Sequence, residues 1–162
     1  MIKVLDEIDN VLVLSEYLKI KDGITWIDFG SKSRQAGLQY KQDEDPWSSA
    51  VGKSKGNETL YNNLNPLIQG SLFENLILKY NLKRSRFLNL GPNSTYSMHK
   101  DASTRIHLPI ITNKQCFMVF KEGLVEHLHM GKVYWTDTTK EHTAINCSEL
   151  WRLHFVGVVD DN

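Results

Sequence analysis

The alternation of apolar and polar positions changes its rhythm near residue 84 of this 162-residue chain. From there on, short segments dominate: RFLNL, TYSMHKD, RIHLPII, QCFMVFK, VEHLHM, KVYWTD, HTAIN and WRLHFVGVV. They are rich in β-branched and aromatic residues. Turn pairs such as Gly91-Pro92, Thr112-Asn113, Glu122-Gly123, Met130-Gly131 and Cys147-Ser148 separate many of them. Short strands at this spacing predict a β-sandwich or jelly-roll barrel. Before residue 84 the pattern is mixed. ITWIDF (24–29) alternates like a strand, and SRQAGLQYKQ predicts another that carries Arg34 and Gln39. Leu60, Leu64, Leu67, Ile68, Leu72, Leu76 and Ile77 follow helical spacing through 58–80. Pro66 and Gly70 are expected to divide that run into two short helices, with Asn57 or Thr59 capping the first. Residues 40–57 are polar and contain Gly, Ser and one Pro. They predict a long loop of the kind that serves as a lid.

The length suits one domain, with 1–83 flanking a β-core over 84–162. Charged residues make up 23% and apolar residues 41%, the profile of an ordinary globular protein. The formal net charge is zero, so a nucleic-acid partner has no electrostatic driving force. The chain contains no apolar run of transmembrane length, which argues against a membrane partner. The start, MIKVLDEIDN, lacks the pattern of a signal peptide, and a cytoplasmic location is expected. Cys116 and Cys147 stand apart and outside any CxxC pair, which suits a reducing compartment. The sequence does not decide whether they pair. No base adjoins Cys147, so it reads as structural.

The chemistry concentrates in His99-Lys100-Asp101, His142 and Arg152. In an extended segment, alternate side chains share a face. His99 and Asp101 therefore project together, and Arg152, His154 and Val156 share one side of the last segment. Two histidines and a carboxylate form the facial triad that holds Fe(II) and leaves positions open for a co-substrate and O2. An arginine inside an apolar strand is costly unless an anion pairs with it. A dicarboxylate would supply that anion in bidentate form. A His-x-Asp pair alone is weak, because such pairs arise by chance. The distant His142 and Arg152 strengthen it. His127 and His129 offer a rival pair that could join His142, although surface or pocket-lining positions are the simpler reading. His154 reads either as a hydrogen-bonding neighbour of the site or as a satisfied core histidine. Trp135, Trp151, Phe117, Phe120 and Phe155 read as packing residues.

From Arg86 onward the chain resembles the aspartyl/asparaginyl β-hydroxylase family. The resemblance rests on Gly91-Pro92-Asn93, His99-x-Asp101, Arg105-Ile106-His107-Leu108 and Gly131-Lys132-Val133. It continues through Trp135-Thr136-Asp137, Glu141-His142, Asn146 and Arg152-Leu153-x-Phe155-Val156. It does not extend over residues 1–80. The family often has glycine where this chain has Asn93, and asparagine tolerates the same left-handed conformation. The resemblance implies a double-stranded β-helix, or cupin-like, fold and an Fe(II)- and 2-oxoglutarate-dependent dioxygenase. It implies His99 and His142 as iron ligands and Asp101 as the carboxylate ligand, which some members lack. Arg152 would bind the distal carboxylate of 2-oxoglutarate, with Arg105 and His107 also touching the co-substrate. The implied substrate is an amino-acid residue in a protein or peptide, or a free amino acid. The competing readings are a cupin-type metal protein that is not an oxygenase, such as an isomerase or small-ligand sensor, and a β-sandwich binding module with a vestigial site. Neither substrate identity nor oligomeric state is legible.

Overall fold

The computed structural model describes residues 1–53 and 56–160. Strand β1 (Ile2–Glu7) leads into helix α1 (Asn10–Ile20). The first half continues with the short strands β2 (Ile27–Asp28), β3 (Ser33–Gly37), β4 (Gln39–Tyr40) and β5 (Asn63–Leu64), and ends with helix α2 (Leu72–Lys79). Strands β6 (Leu82–Leu90), β7 (Ser94–Thr95), β8 (Arg105–Ile111) and β9 (Cys116–Phe120) follow. Strands β10 (Val125–Glu126), β11 (Lys132–Thr136), β12 (His142–Asn146) and β13 (Arg152–Val159) complete the chain. Among the described residues no helix is long and apolar enough to cross a membrane.

The strands form a seven-stranded sheet in the order β1-β11-β8-β13-β6-β3-β2 and a four-stranded sheet in the order β10-β9-β12-β7. Strands β4 and β5 pair separately. All pairings are antiparallel. The large sheet is buried on both faces, for different reasons. Its outer face carries Phe87, Ile106, Leu108, Ile110, Leu153 and Phe155, which pack under α1 and α2 with Val13, Phe73 and Leu76. Phe73 meets Phe87 edge-on at 5.0 Å and stacks on Phe155 at 5.7 Å. Each such side chain contributes roughly 1.5–3 kcal/mol by leaving water. The inner face turns toward the four-stranded sheet and carries charge instead. Odd and even positions of β8 and β13 thus divide hydrophobic core from polar cavity, as strand alternation requires.

A bulge in β6 re-aims its charges. Val156 pairs with Arg86, but Val158 pairs with Lys83, so the register slips across Arg84-Ser85. Arg84 sits there at φ 51°, a left-handed conformation uncommon for a long side chain. The slip lets Leu82 join the outer core while Arg84 and Arg86 both face the cavity.

Three expectations need correction. ITWIDF holds only the two-residue β2. The helical run over 58–80 yields one α-helix, α2, capped by Ser71, whose Oγ accepts from Phe73 N–H and Glu74 N–H. Its first half is two single 3-10 turns, Glu58–Leu60 and Pro66–Ile68, flanking β5. Asn57 does cap the first turn, accepting from Thr59 N–H at 3.0 Å. Tyr96–Asp101 is not a strand. His99 makes an isolated bridge to His142 instead. Asn93 takes the left-handed conformation, φ 48°, after Pro92.

Loop 40–57 lies against the barrel, and its Ser54 and Lys55 fall outside the described residues. Gly37 N–H donates to the Trp47 carbonyl at 2.9 Å. A Cβ on Gly37 would lie 2.6 Å from the Pro46 carbonyl oxygen, so only glycine allows this approach.

Candidate metal centre and its cavity

The backbone positions the ligands before the side chains do. His99 and His142 exchange N–H···O bonds of 3.0 and 2.8 Å, and Asp101 N–H donates to the Thr138 carbonyl at 2.9 Å. One short segment is thereby clamped to the start of β12. Ligand atoms of His99, Asp101 and His142 all lie within 4.8 Å of one another. They form the group that could hold a metal ion among the described residues.

The hydrogen bonds of the two rings suit metal binding. His99 Nδ1 lies 2.7 Å from the Ser97 carbonyl, and His142 Nδ1 lies 2.9 Å from the Lys140 carbonyl. Facing carbonyls, both Nδ1 atoms carry the proton, and both Nε2 lone pairs are left for a ligand. His142 Nε2 is 3.8 Å from Asp101 Oδ2. Burial holds His142 below the usual imidazole pKa, so the neutral, ligating form persists at lower pH. Two imidazoles and a carboxylate form a mixed nitrogen and oxygen donor set that fits a divalent transition metal.

The triad opens onto a cavity of about 1090 Å³ between the two sheets. Its wall on the large sheet holds Arg84, Arg86, Arg105, His107, Arg152 and His154. Burial pushes His107 and His154 well below their usual pKa, and the Arg152 charge pushes in the same direction. Both are therefore neutral. Neither ring nitrogen of His107 has a hydrogen-bond partner, although both are buried. Orphaned groups of that kind mark a place where a ligand or water completes the bonding. Arg152 Nε lies 3.1 Å from His154 Nε2, and Nη2 lies 3.0 Å from His154 Nδ1. A neutral imidazole offers one lone pair, so only one of these contacts is a hydrogen bond. No carboxylate among the described residues lies in ion-pair range of Arg152.

The six residues that the resemblance assigns to metal and co-substrate, His99, Asp101, Arg105, His107, His142 and Arg152, all line this cavity. Their partners differ. Arg105 is held by Glu58, with Nη2–Oε1 at 3.0 Å and Nη1–Oε2 at 3.2 Å, and its Nε is 3.4 Å from Asp101 Oδ2. Glu58 also takes Arg84 Nη1 at 2.7 Å and a hydrogen bond from the Ser103 hydroxyl. Burial raises the Glu58 pKa, but Arg105, Ser103 and Arg84 outweigh it and hold the carboxylate below its usual range.

Glu58, Arg84 and Arg86 were not singled out from the sequence. The available signal was the alternation Arg84-x-Arg86 in a segment whose Leu82, Phe87, Leu88 and Leu90 read as a strand. His127 and His129 do not form a rival metal pair with His142. Their rings pack on each other at 4.6 Å, and His127 Nδ1 lies 2.9 Å from the Cys116 carbonyl, away from the cavity lining. Arg34 and Gln39 also stay off the lining. Arg34 stacks between Trp26 and Trp151 at 4.6 and 5.0 Å, and Gln39 bonds the backbone of Leu82 and Ser85. Cys116 and Cys147 are both free thiols.

Residues 10–160 match the family model described as aspartyl/asparaginyl beta-hydroxylase, so the likeness also covers most of residues 1–80, where none was expected. Among solved structures, an oxidoreductase of the 2OG-Fe(II) oxygenase family from Burkholderia pseudomallei superposes with a TM-score of 0.57 at 13% identity. That match covers 90% of this chain and 76% of the other. A cupin domain from Bordetella pertussis Tohama I gives a TM-score of 0.42 at 18% identity, over 47% of this chain and 79% of the other. At such identities the first likeness speaks to the fold, a jelly-roll of the cupin kind. No curated protein matches the chain.

Proposed function

The chain belongs to the aspartyl/asparaginyl β-hydroxylase family, and from that premise we propose that it is an Fe(II)- and 2-oxoglutarate-dependent dioxygenase. Its substrate is an amino-acid residue in a protein or peptide, or a free amino acid. The observation that carries this reading is the convergence of His99, Asp101 and His142 beside a cavity whose buried arginines exceed its carboxylates. The iron and the 2-oxo acid together supply the oxidation: O2 is reduced, 2-oxoglutarate loses CO2 to become succinate, and a C–H bond of the substrate gains oxygen.

The chain's own residues bind and orient. His99 and His142 offer Nε2 lone pairs fixed by their Nδ1–carbonyl bonds. Asp101 offers the carboxylate, steadied by its backbone bond to Thr138 and by the nearby Arg105. Arg152 carries an unpaired charge suited to the distal carboxylate of 2-oxoglutarate, and the orphaned nitrogens of His107 can add a neutral hydrogen bond. The buried Glu58 carboxylate takes the two Nη groups of Arg105, which leaves its Nε as the atom nearest Asp101, at 3.4 Å. Loop 40–57 closes one side of the cavity through Gly52 and Lys53.

The test is succinate production from 2-oxoglutarate with Fe(II) and ascorbate, with and without candidate amino acids and peptides. The reading requires iron-dependent succinate that falls to background in His99→Ala. An isomerase or sensor would give metal binding without succinate.

A further inference from the structure

The charge inside the cavity does not balance. Arg84, Arg86, Arg105 and Arg152 face it, against the carboxylates of Glu58 and Asp101. A divalent metal and a dicarboxylate would cancel each other, so loading the site leaves the excess in place. Buried positive charge without a counter-ion is expensive, and a further anion would relieve it.

The deficit is sharpest at Arg86. Its side chain is buried, with the residue 8% exposed. Nη1 donates to the Ala50 carbonyl at 2.8 Å, while Nε is buried with no partner. No carboxylate among the described residues lies within ion-pair distance of this guanidinium. Glu58 is already divided between Arg84 and Arg105.

Arg86 also stands apart from Arg152. Across the sheet, His107, Val156 and Arg86 occupy one row, whereas Arg152 pairs with Leu90. The two rows are four residues apart along β13, about 13 Å at ~3.3 Å per residue. Arg86 lies among the charged Arg84, Arg105, Asp101 and Glu58, whereas the neighbours of Arg152, namely Tyr96, Cys116 and His154, are uncharged. One guanidinium thus sits on the Asp101 side of the cavity and the other on the Tyr96 side.

We infer that Arg86 is a second anion anchor that binds a carboxylate of the primary substrate, leaving Arg152 to the co-substrate. This assignment rests on the dioxygenase reading for what else fills the cavity. The chemistry recognised is a carboxylate, either the α-carboxylate of a free amino acid or the side-chain carboxylate of an acidic residue. The guanidinium edge not engaged by the Ala50 carbonyl offers charge-assisted donors that such a group fits.

The experiment uses the whole protein loaded with Zn(II) and saturating 2-oxoglutarate, so that no turnover occurs. Four probes are titrated: L-aspartate, L-alanine (α-carboxylate only), N-acetyl-L-aspartate α-amide (side-chain carboxylate only) and L-alaninamide (neither). Affinity is read by calorimetry. The Arg86 Nε–H resonance, assigned by its loss in Arg86→Lys, is read by NMR. The inference expects at least one carboxylate probe to bind and shift that resonance, with alaninamide silent. The probe that succeeds identifies the source of the carboxylate. Arg86→Gln should weaken that probe about ten-fold or more, with 2-oxoglutarate affinity changed less than about two-fold. If Arg86→Gln does not fold, Arg86→Lys, which keeps the charge and loses the guanidinium, gives the same comparison. The inference is overturned if no carboxylate probe binds or shifts the resonance. It is also overturned if Arg86→Gln costs 2-oxoglutarate as much affinity as Arg152→Gln does. A wild-type protein that binds no 2-oxoglutarate sinks the dioxygenase reading instead, while the Arg86 resonance still reports on the anchor.

Discussion

Replacing Glu58 with glutamine removes the carboxylate that two buried guanidinium groups share. Glu58 is 7% exposed, Arg84 is 3% and Arg105 is 2%. Its Oε1 accepts from Arg84 at 2.7 Å and from Arg105 at 3.0 Å. After the substitution both cations remain buried, neighbours without a common anion. Breaking a buried pair this way costs about 3–5 kcal/mol, most of it the penalty of the stranded charge. For a chain of this size that corresponds to a fall in Tm of roughly 6–20 °C. The perturbation has a second, local consequence. Arg105, released from Glu58, is free to close on Asp101, whose Oδ2 already lies 3.4 Å from its Nε. A carboxylate held by an arginine is a poorer metal ligand, so metal affinity should fall together with stability. The assay is denaturant unfolding of the metal-free protein beside a calorimetric metal titration, with Glu126→Gln on exposed β10 as control. A loss below about 1 kcal/mol, no larger than an ordinary point substitution, would refute the role given to this network.

Four further outcomes follow. Arg152→Ala should weaken 2-oxoglutarate about ten-fold or more while metal affinity stays within two-fold; loss of both together would make Arg152 structural. His127→Ala should leave metal affinity unchanged, because that ring is tied to the Cys116 carbonyl; a clear loss would reopen the rival ligand set. Stability should be flat above about pH 7 and fall as pH drops below the ordinary imidazole value of ~6.5. His107 and His154 are held well below 6.5 by burial, so in that range the unfolded chain binds more protons than the folded one. Stability then rises with pH by up to ~1.4 kcal/mol per unit per histidine; a flat urea midpoint between pH 5 and 7 would contradict it. Phe87→Ala, in the centre of the aromatic cluster, should cost about 3–5 kcal/mol, and a Tm close to wild type would count against the packing described.

The second half of the fold was legible because its strands obey parity. In WRLHFVGVV the alternation that buries Leu153 and Phe155 outward also places Arg152, His154 and Val156 inward. The triad was legible as residue types, although the segment carrying His99 and Asp101 is clamped by three backbone bonds and not extended as a strand. The first half was less legible because tertiary contacts override local pattern. Leu60 and Leu64 suggested a helix, but Asn63–Leu64 pairs with β4, and Glu58 is drawn into the arginine network. Alternation through β6 gave no warning of the bulge at Arg84, which decides which charges face the cavity. Partners of buried charges lie far apart in sequence, as Glu58 and Arg105 do, and spacing alone cannot reveal them.

The proposed activity depends most on His99, Asp101 and His142 forming one metal centre that also receives the co-substrate. An anaerobic calorimetric titration of 2-oxoglutarate into the protein, with and without Fe(II), tests that directly. Binding should require the metal in the wild type, and it should vanish in His142→Ala while that variant keeps a wild-type far-ultraviolet spectrum. Binding of equal strength without Fe(II), or undiminished in His142→Ala, would contradict the account.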